Sequence, residues 1–132
     1  MKLTNFYVIL KQKGFTLIEL LIVLAIVAML MTIALPRFMG SLDKSKEVAL
    51  KENLQIMRVT IDKFYADKGR FPATLEELVT QRYLRNVPVD PITDSSQTWI
   101  LIPPKEKDLK GIFDIKSGAP GNDQVGNQYA TY

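Results

Sequence analysis

A predominantly apolar run extends from Phe15 to Leu35, and Glu19 is its one charged residue. In a helix, a run of this length rises about 30 Å, which is the thickness of the hydrocarbon core of a bilayer. It is longer than the apolar region of a secretory signal peptide, which has about 7–15 residues. The pattern therefore predicts a membrane-spanning helix. Because a carboxylate at the bilayer centre costs about 2.5–3.5 kcal/mol, Glu19 is expected to have a partner.

A second helical pattern extends from Leu42 to Ala66, with one apolar stripe at alternating steps of four and three. The stripe consists of Leu50, Leu54, Met57, Ile61 and Phe64. Charged residues, among them Glu47, occupy other positions, and we expect them on a solvated face. A glycine C-cap and a proline stop in the sequence Lys68-Gly69-Arg70-Phe71-Pro72 end this helix.

A short second helix is indicated by the capping box Thr74-Leu75-Glu76-Glu77 and is predicted to extend through Arg82. The apolar residues expected to face the long helix are Leu75, Leu78 and Val79. The following segment, Val87–Pro91, contains two prolines and is predicted to be an extended connector. Within it, Asp90 is interpreted as a surface acid.

Two strand candidates, 98–102 and 111–116, flank a charged loop and are predicted to pair as a hairpin. Residues 117–132 are rich in Gly, Asn and small polar residues and are predicted to form an irregular loop, with a short final strand as an alternative. The predicted fold class is α+β. It comprises a long N-terminal α-helix, the first half of it transmembrane, packed on a short helix and a small antiparallel β-sheet.

The charge pattern predicts the orientation in the membrane. Residues 1–14 carry Lys2, Lys11 and Lys13 and no acid, so the positive-inside rule places this end in the cytoplasm. The chain has 17 basic and 14 acidic residues, and without these three lysines the two signs balance. The basic pI therefore does not indicate a nucleic-acid partner.

The sequence Lys13-Gly14-Phe15-Thr16-Leu17-Ile18-Glu19, followed by this helix, resembles the processing motif of type IV pilins and of type II secretion pseudopilins. The resemblance implies that a membrane prepilin peptidase cleaves between Gly14 and Phe15 and N-methylates Phe15. A glycine at this position lets the backbone lie extended in a protease cleft, since it has no side chain to exclude.

Two further residues have roles that the resemblance implies. Glu19 would pair with the Phe15 amine of a neighbouring subunit and so set the stagger of helices in a filament. Pairing with the amine of its own chain stays open as an alternative. Pro36 would be a helix kink, with the helix continuing beyond it; the alternative is an ordinary helix stop at the membrane edge.

The stretch Tyr65–Pro72, the leucine-containing short helix and Val87–Pro91 narrow the resemblance to the major, G-type pseudopilin. It implies a cleaved cytoplasmic leader at 1–14, a transmembrane helix segment at 15–35 and a periplasmic pilin-like domain at 36–132. The implied function is that of a structural subunit of the type II secretion pseudopilus. It would polymerise after prepilin peptidase cleavage and help export folded proteins across the outer membrane.

The implied location is the bacterial inner membrane, crossed once. The implied partners are copies of the chain in a homopolymer filament, the prepilin peptidase, minor pseudopilins, an assembly platform protein, an ATPase and a secretin. A type IV pilin or minor pilin, for attachment, motility or DNA uptake, is the alternative. Many type IV pilins close the C-terminal loop, here residues 117–132, with a disulfide. The chain has no Cys, which favours a secretion pseudopilin over a type IV pilin.

The G-type family typically ends in an acidic loop that binds calcium, an ion that takes about six to eight oxygen ligands. Here residues 117–132 contain one acid, Asp123. We therefore expect no cofactor and a loop held by Gly118, Pro120, Gly121 and its own backbone hydrogen bonds, with a bound calcium ion as the alternative. The chain has neither His nor Cys, which excludes the Ser-His-Asp and Cys-His arrangements, and we predict that it is not an enzyme.

Overall fold

The computed structural model describes residues 13–132. Its elements, in chain order, are α1 (Leu17–Lys68), α2 (Leu75–Thr80), β1 (Trp99–Ile102), β2 (Asp114–Ser117) and one turn of 3-10 helix (Tyr129–Thr131). The two strands form an antiparallel sheet in which Trp99 lies opposite Ser117. The predicted α+β class, with a long helix, a short helix and a small antiparallel sheet, is confirmed.

The chain divides between Phe38 and Met39 into two compact units. Within the described residues, the first unit contains the beginning of α1, and Pro36 lies inside the helix. A proline has no N–H to donate to the carbonyl of Thr32, one turn earlier. The predicted continuation of the helix beyond Pro36 is confirmed, and a helix stop at this residue is wrong; the kink there stays a prediction.

The second unit, from Met39 to Tyr132, is built on the predicted apolar stripe of α1. All five stripe residues are at most 1% exposed: Leu50, Leu54, Met57, Ile61 and Phe64. The residues that complete the core are Phe71, Leu75, Leu78, Trp99, Ile112, Ile115, Ala119 and Tyr129. The helix ends as predicted, because Gly69 adopts a left-handed φ of 68° and donates its N–H to the carbonyl of Tyr65.

The second helix begins with the predicted cap. The hydroxyl of Thr74 accepts a hydrogen bond from the N–H of Glu77, and the Glu77 carboxylate accepts one from the N–H of Ala73. The helix ends at Thr80, two residues earlier than predicted, because Arg82 has a left-handed φ of 65° and turns the chain away.

The strands differ slightly from their predicted limits. The first begins one residue later than expected, at Trp99, and the second covers Asp114–Ser117 rather than 111–116. The later start of the second strand follows from Gly111, whose φ of 111° is incompatible with a strand. The next residue, Ile112, donates its N–H to the carbonyl of Pro72 instead of to the other strand.

The interpretation of Asp90 as a surface acid is wrong, because its side chain is fully buried. One carboxylate oxygen accepts a hydrogen bond from the N–H of Ile92 at 2.8 Å, and the other accepts one from the hydroxyl of Ser117 at 2.6 Å. A buried carboxylate is tolerated when donors surround it. Asp90 therefore joins the connector to the end of the second strand.

We predict that Gly118→Ala destabilises the second unit. An added Cβ would lie 2.1 Å from the carbonyl oxygen of Thr98, at the end of the strand pair, so one of the two backbone segments must move. Overpacking of this kind costs about 1–3 kcal/mol, which urea unfolding of the full chain in detergent would measure. The matched control is Gly40→Ala, which meets no atom within 4 Å. Equal stability of the two variants would contradict the prediction.

Candidate functional site

The predicted cleavage position lies immediately before the first helical residue. Lys13, Gly14, Phe15 and Thr16 are exposed and outside the helix, and the side chain of Phe15 is 82% exposed. Among residues 13–132, no atom lies within 4 Å of the position where Gly14 would carry a Cβ. The peptide bond between Gly14 and Phe15 is thus sterically open to a peptidase, although cleavage there stays a prediction. The remainder of the predicted leader, residues 1–12, lies outside the described residues.

The carboxylate of Glu19 lies at the start of α1, where it forms a reciprocal capping box with Thr16. The hydroxyl of Thr16 accepts a hydrogen bond from the N–H of Glu19 at 3.2 Å. In return, the Glu19 carboxylate accepts one from the N–H of Thr16 at 3.4 Å. This arrangement satisfies two of the N–H groups that a helix start leaves free. The carboxylate is therefore held one residue away from Phe15, whose nitrogen would become an amine on cleavage.

The apolar surface of the first unit is uncovered. Large apolar side chains from Leu17 to Leu35 are between 44% and 78% exposed. Within residues 13–132, α1 is the one helix long and apolar enough to cross a membrane. Exposure of so long an apolar surface to water is unfavourable, so lipid or other protein must cover it.

The expectation that Glu47 lies on a solvated face is wrong, because this residue is 8% exposed. Its carboxylate accepts hydrogen bonds from the N–H of Gln124 at 2.9 Å and from the hydroxyl of Tyr129 at 3.3 Å. The sequence did contain a signal for its burial. Glu47 lies three residues before Leu50 and thus occupies the next position of the apolar stripe.

Residues 118–132, which we call the closing loop, are organised around Asp123. One oxygen of its carboxylate accepts hydrogen bonds from the N–H groups of Val125 at 2.9 Å and Asn127 at 2.7 Å. The other oxygen accepts hydrogen bonds from the side-chain amide of Asn127 and from the hydroxyl of Tyr132. The predicted irregular loop is thus largely correct, and the alternative of a short final strand is replaced by a single bridge between Asn122 and Gln128.

The hydrogen bond between Asp123 and Tyr132 changes the acidity of both groups. Donation by Tyr132, and then by Asn127, holds the pKa of the Asp123 carboxyl well below its usual range. The same bond is the main reason that the pKa of Tyr132 is raised to about 12. Asp123 is consequently a carboxylate, and Tyr132 a proton donor, over the whole physiological pH range.

The closing loop does not have the donor set that calcium needs. Its one carboxylate, Asp123, is already bonded to four donors, and Asp114 in the neighbouring strand accepts from Arg58 at 2.8 Å. Among residues 13–132, no three acidic side chains cluster in a way that could hold a metal ion. These residues therefore do not fit the calcium that the G-type resemblance implies.

Comparison with known proteins shows which class of protein the N-terminal part of the chain resembles. A family model described as the prokaryotic N-terminal methylation motif matches residues 9–35, which include the predicted cleavage position and Glu19. The type IV major pilin protein PilA of Myxococcus xanthus is 37% identical to this chain. The aligned segment covers 52% of this chain and 31% of that pilin. No solved structure matches the chain. The chain is thus similar at its N-terminus to proteins that carry this motif, a type IV major pilin among them.

Relatives that match along nearly the whole chain identify the family. The type II secretion system core protein G of Pseudomonas aeruginosa is 31% identical, covering 86% of this chain and 87% of that protein. The protein of the same name from Klebsiella michiganensis is 28% identical, covering 88% and 92%. The chain belongs to the family of the type II secretion system core protein G and has the structural role of a pseudopilin. The predicted family is confirmed.

We predict that Glu47→Ala loosens the closing loop. The substitution leaves the N–H of Gln124 and the hydroxyl of Tyr129 without their acceptor, which costs about 1–3 kcal/mol for a buried group. Thermal unfolding of the full chain in detergent would measure the loss. Glu52→Ala, an exposed glutamate on the same helix, is the matched control and should change stability by less than about 0.5 kcal/mol. An equal effect of both variants would show that Glu47 is not a structural acceptor.

Proposed function

We propose that the chain polymerises, after removal of residues 1–14, into a periplasmic pseudopilus that helps export folded proteins across the outer membrane. The observation that carries this proposal is the similarity to type II secretion core proteins along 86–88% of the chain. The exposed apolar surface of α1 supports it, because such a surface can be covered either by lipid or by the same surface of other copies.

The proposed location is the bacterial inner membrane. Residues 15–35 would cross it once, and Lys2, Lys11 and Lys13 would keep the leader in the cytoplasm. Residues 36–132 would then lie in the periplasm. Cleavage between Gly14 and Phe15 by a prepilin peptidase would take place at the cytoplasmic face, where the open backbone before α1 would enter the protease.

The proposed role of Glu19 follows from its capping box. In the precursor its carboxylate accepts from the amide of Thr16, and this bond is long, at 3.4 Å. Cleavage would place a charged, methylated amine on Phe15, one residue away. Hydrogen bonds to a charged donor are roughly twice as strong as those to a neutral amide, so the carboxylate would exchange one partner for the other. Pairing with the amine of a neighbouring copy would fix the stagger of two helices.

The further parts of this proposal come from the resemblance. Minor pseudopilins, an assembly platform protein, an ATPase and a secretin would be the partners, and no nucleic acid and no cofactor would be needed. The chain would act mechanically rather than as an enzyme. A type IV pilus is the competing assembly, supported by the similarity of the first half of the chain to a major pilin.

We predict that deletion of the gene traps exported proteins in the periplasm, and that complementation returns them to the medium. Mass spectrometry of medium and periplasm would measure both. If secretion were unchanged while surface attachment, motility or DNA uptake was lost, the type IV pilus would replace our proposal.

We predict that Glu19→Gln abolishes filaments while the subunit is still inserted and cleaved, because the amide cannot neutralise the Phe15 amine. Filaments can be counted by electron microscopy of sheared preparations, and cleavage by N-terminal mass spectrometry. Gly14→Val, which should stay unprocessed, separates a defect in cleavage from one in assembly. Glu76→Gln, at an exposed acid of α2, should change neither. Normal filaments with Glu19→Gln would overturn the assigned role.

A further inference from the structure

The closing loop packs against α1 through side chains that lie far apart in sequence. Glu47 accepts from the backbone N–H of Gln124, and the side-chain amide of Gln124 donates to the carbonyl of Gly40 at 2.7 Å. Tyr129 is buried and donates its hydroxyl to the same Glu47 carboxylate. These three contacts join the loop to Gly40 and Glu47, which lie about two turns apart on α1.

We infer that these contacts and the Asp123–Tyr132 hydrogen bond hold the closing loop in place of a calcium ion, so that the loop folds without metal. The loop would fold in this way whether or not the chain polymerises. It departs from the acidic, calcium-binding loop that resemblance to the G-type pseudopilins implies. The reason for this difference is that hydrogen-bond donors already occupy both oxygens of Asp123.

Hydrogen atoms, and not free lone pairs, surround the carboxylate of Asp123. Its two oxygens receive four hydrogen bonds, three of them from Val125 and Asn127 and the fourth from Tyr132. A carboxylate offers about four lone-pair sites in its plane. A cation bound here would have to displace these donors and would then lie against their partial positive charges.

The side chain of Lys51, which is exposed, contacts the ring of Tyr132. The ammonium of Lys51 is 4.6 Å from the centre of the Tyr132 ring, in the geometry of a cation–π contact. The four donors supply the partial positive charge that a metal would bring to this carboxylate, which explains how a loop with a single acid can be well packed.

The test is hydrogen exchange of the full chain in detergent, with either excess EDTA or excess calcium chloride. We expect the same protection of residues 119–132 and the same unfolding temperature in both solutions. We also expect Asp123→Asn and Tyr132→Phe to speed exchange of the loop amides by about tenfold, equally in EDTA and calcium, since each removes a hydrogen bond to a charged group. Asp108→Asn, at an exposed acid in another loop, is the control and should leave exchange unchanged.

Three outcomes would overturn the inference. In the first, EDTA lowers protection of the loop and calcium restores it. In the second, titration of the full chain with calcium chloride raises its unfolding temperature. In the third, the Asp123 and Tyr132 variants exchange like the Asp108 control, which would mean that other contacts hold the loop.

Discussion

The unit from Met39 to Tyr132 depends on one packing constraint: α1 presents a single apolar stripe, and the elements that follow must cover it. Each of these elements is short, and the strands have four residues each. A two-stranded sheet is marginally stable alone and needs a helix to pack on. Burial of one large apolar side chain contributes about 1.5–3 kcal/mol, so the five stripe residues supply much of the stability that the covering elements need.

Polar side chains of α1, in line with the stripe or beside it, determine where each following segment packs on the helix. Glu47 binds the closing loop at Gln124, and Asn53 donates to the carbonyl of Val89 in the connector at 2.9 Å. Arg58 binds the second strand through the carboxylate of Asp114. These contacts follow one another along α1 at intervals of five or six residues. Apolar burial alone is non-directional, so such directional bonds are what select one arrangement of the short elements.

The sequence predicted the features whose signals are local. The stripe, the cap at Thr74 and the glycine end at Gly69 are patterns within a few residues, and the structure has all of them. The errors at Glu47 and Asp90 have a common cause. Each carboxylate accepts from a donor between 27 and 82 residues away, and no local pattern encodes such a partner, although the place of Glu47 in the apolar stripe did indicate its burial.

The carboxylates near the two ends of the described chain differ in the number of hydrogen bonds that they accept. Asp123 accepts four hydrogen bonds from neutral donors of its own loop, and these occupy both of its oxygens. Glu19, among residues 13–132, accepts one hydrogen bond, and that one is long. In water the missing hydrogen bonds cost little, because water molecules donate to the oxygens of the carboxylate that have no protein donor. In lipid no solvent is available, and the free energy of an under-bonded carboxylate falls sharply when a cation arrives. If Glu19 exchanges partners as proposed, its incomplete set of hydrogen bonds would favour the exchange, whereas the complete set around Asp123 would hold its loop in one arrangement.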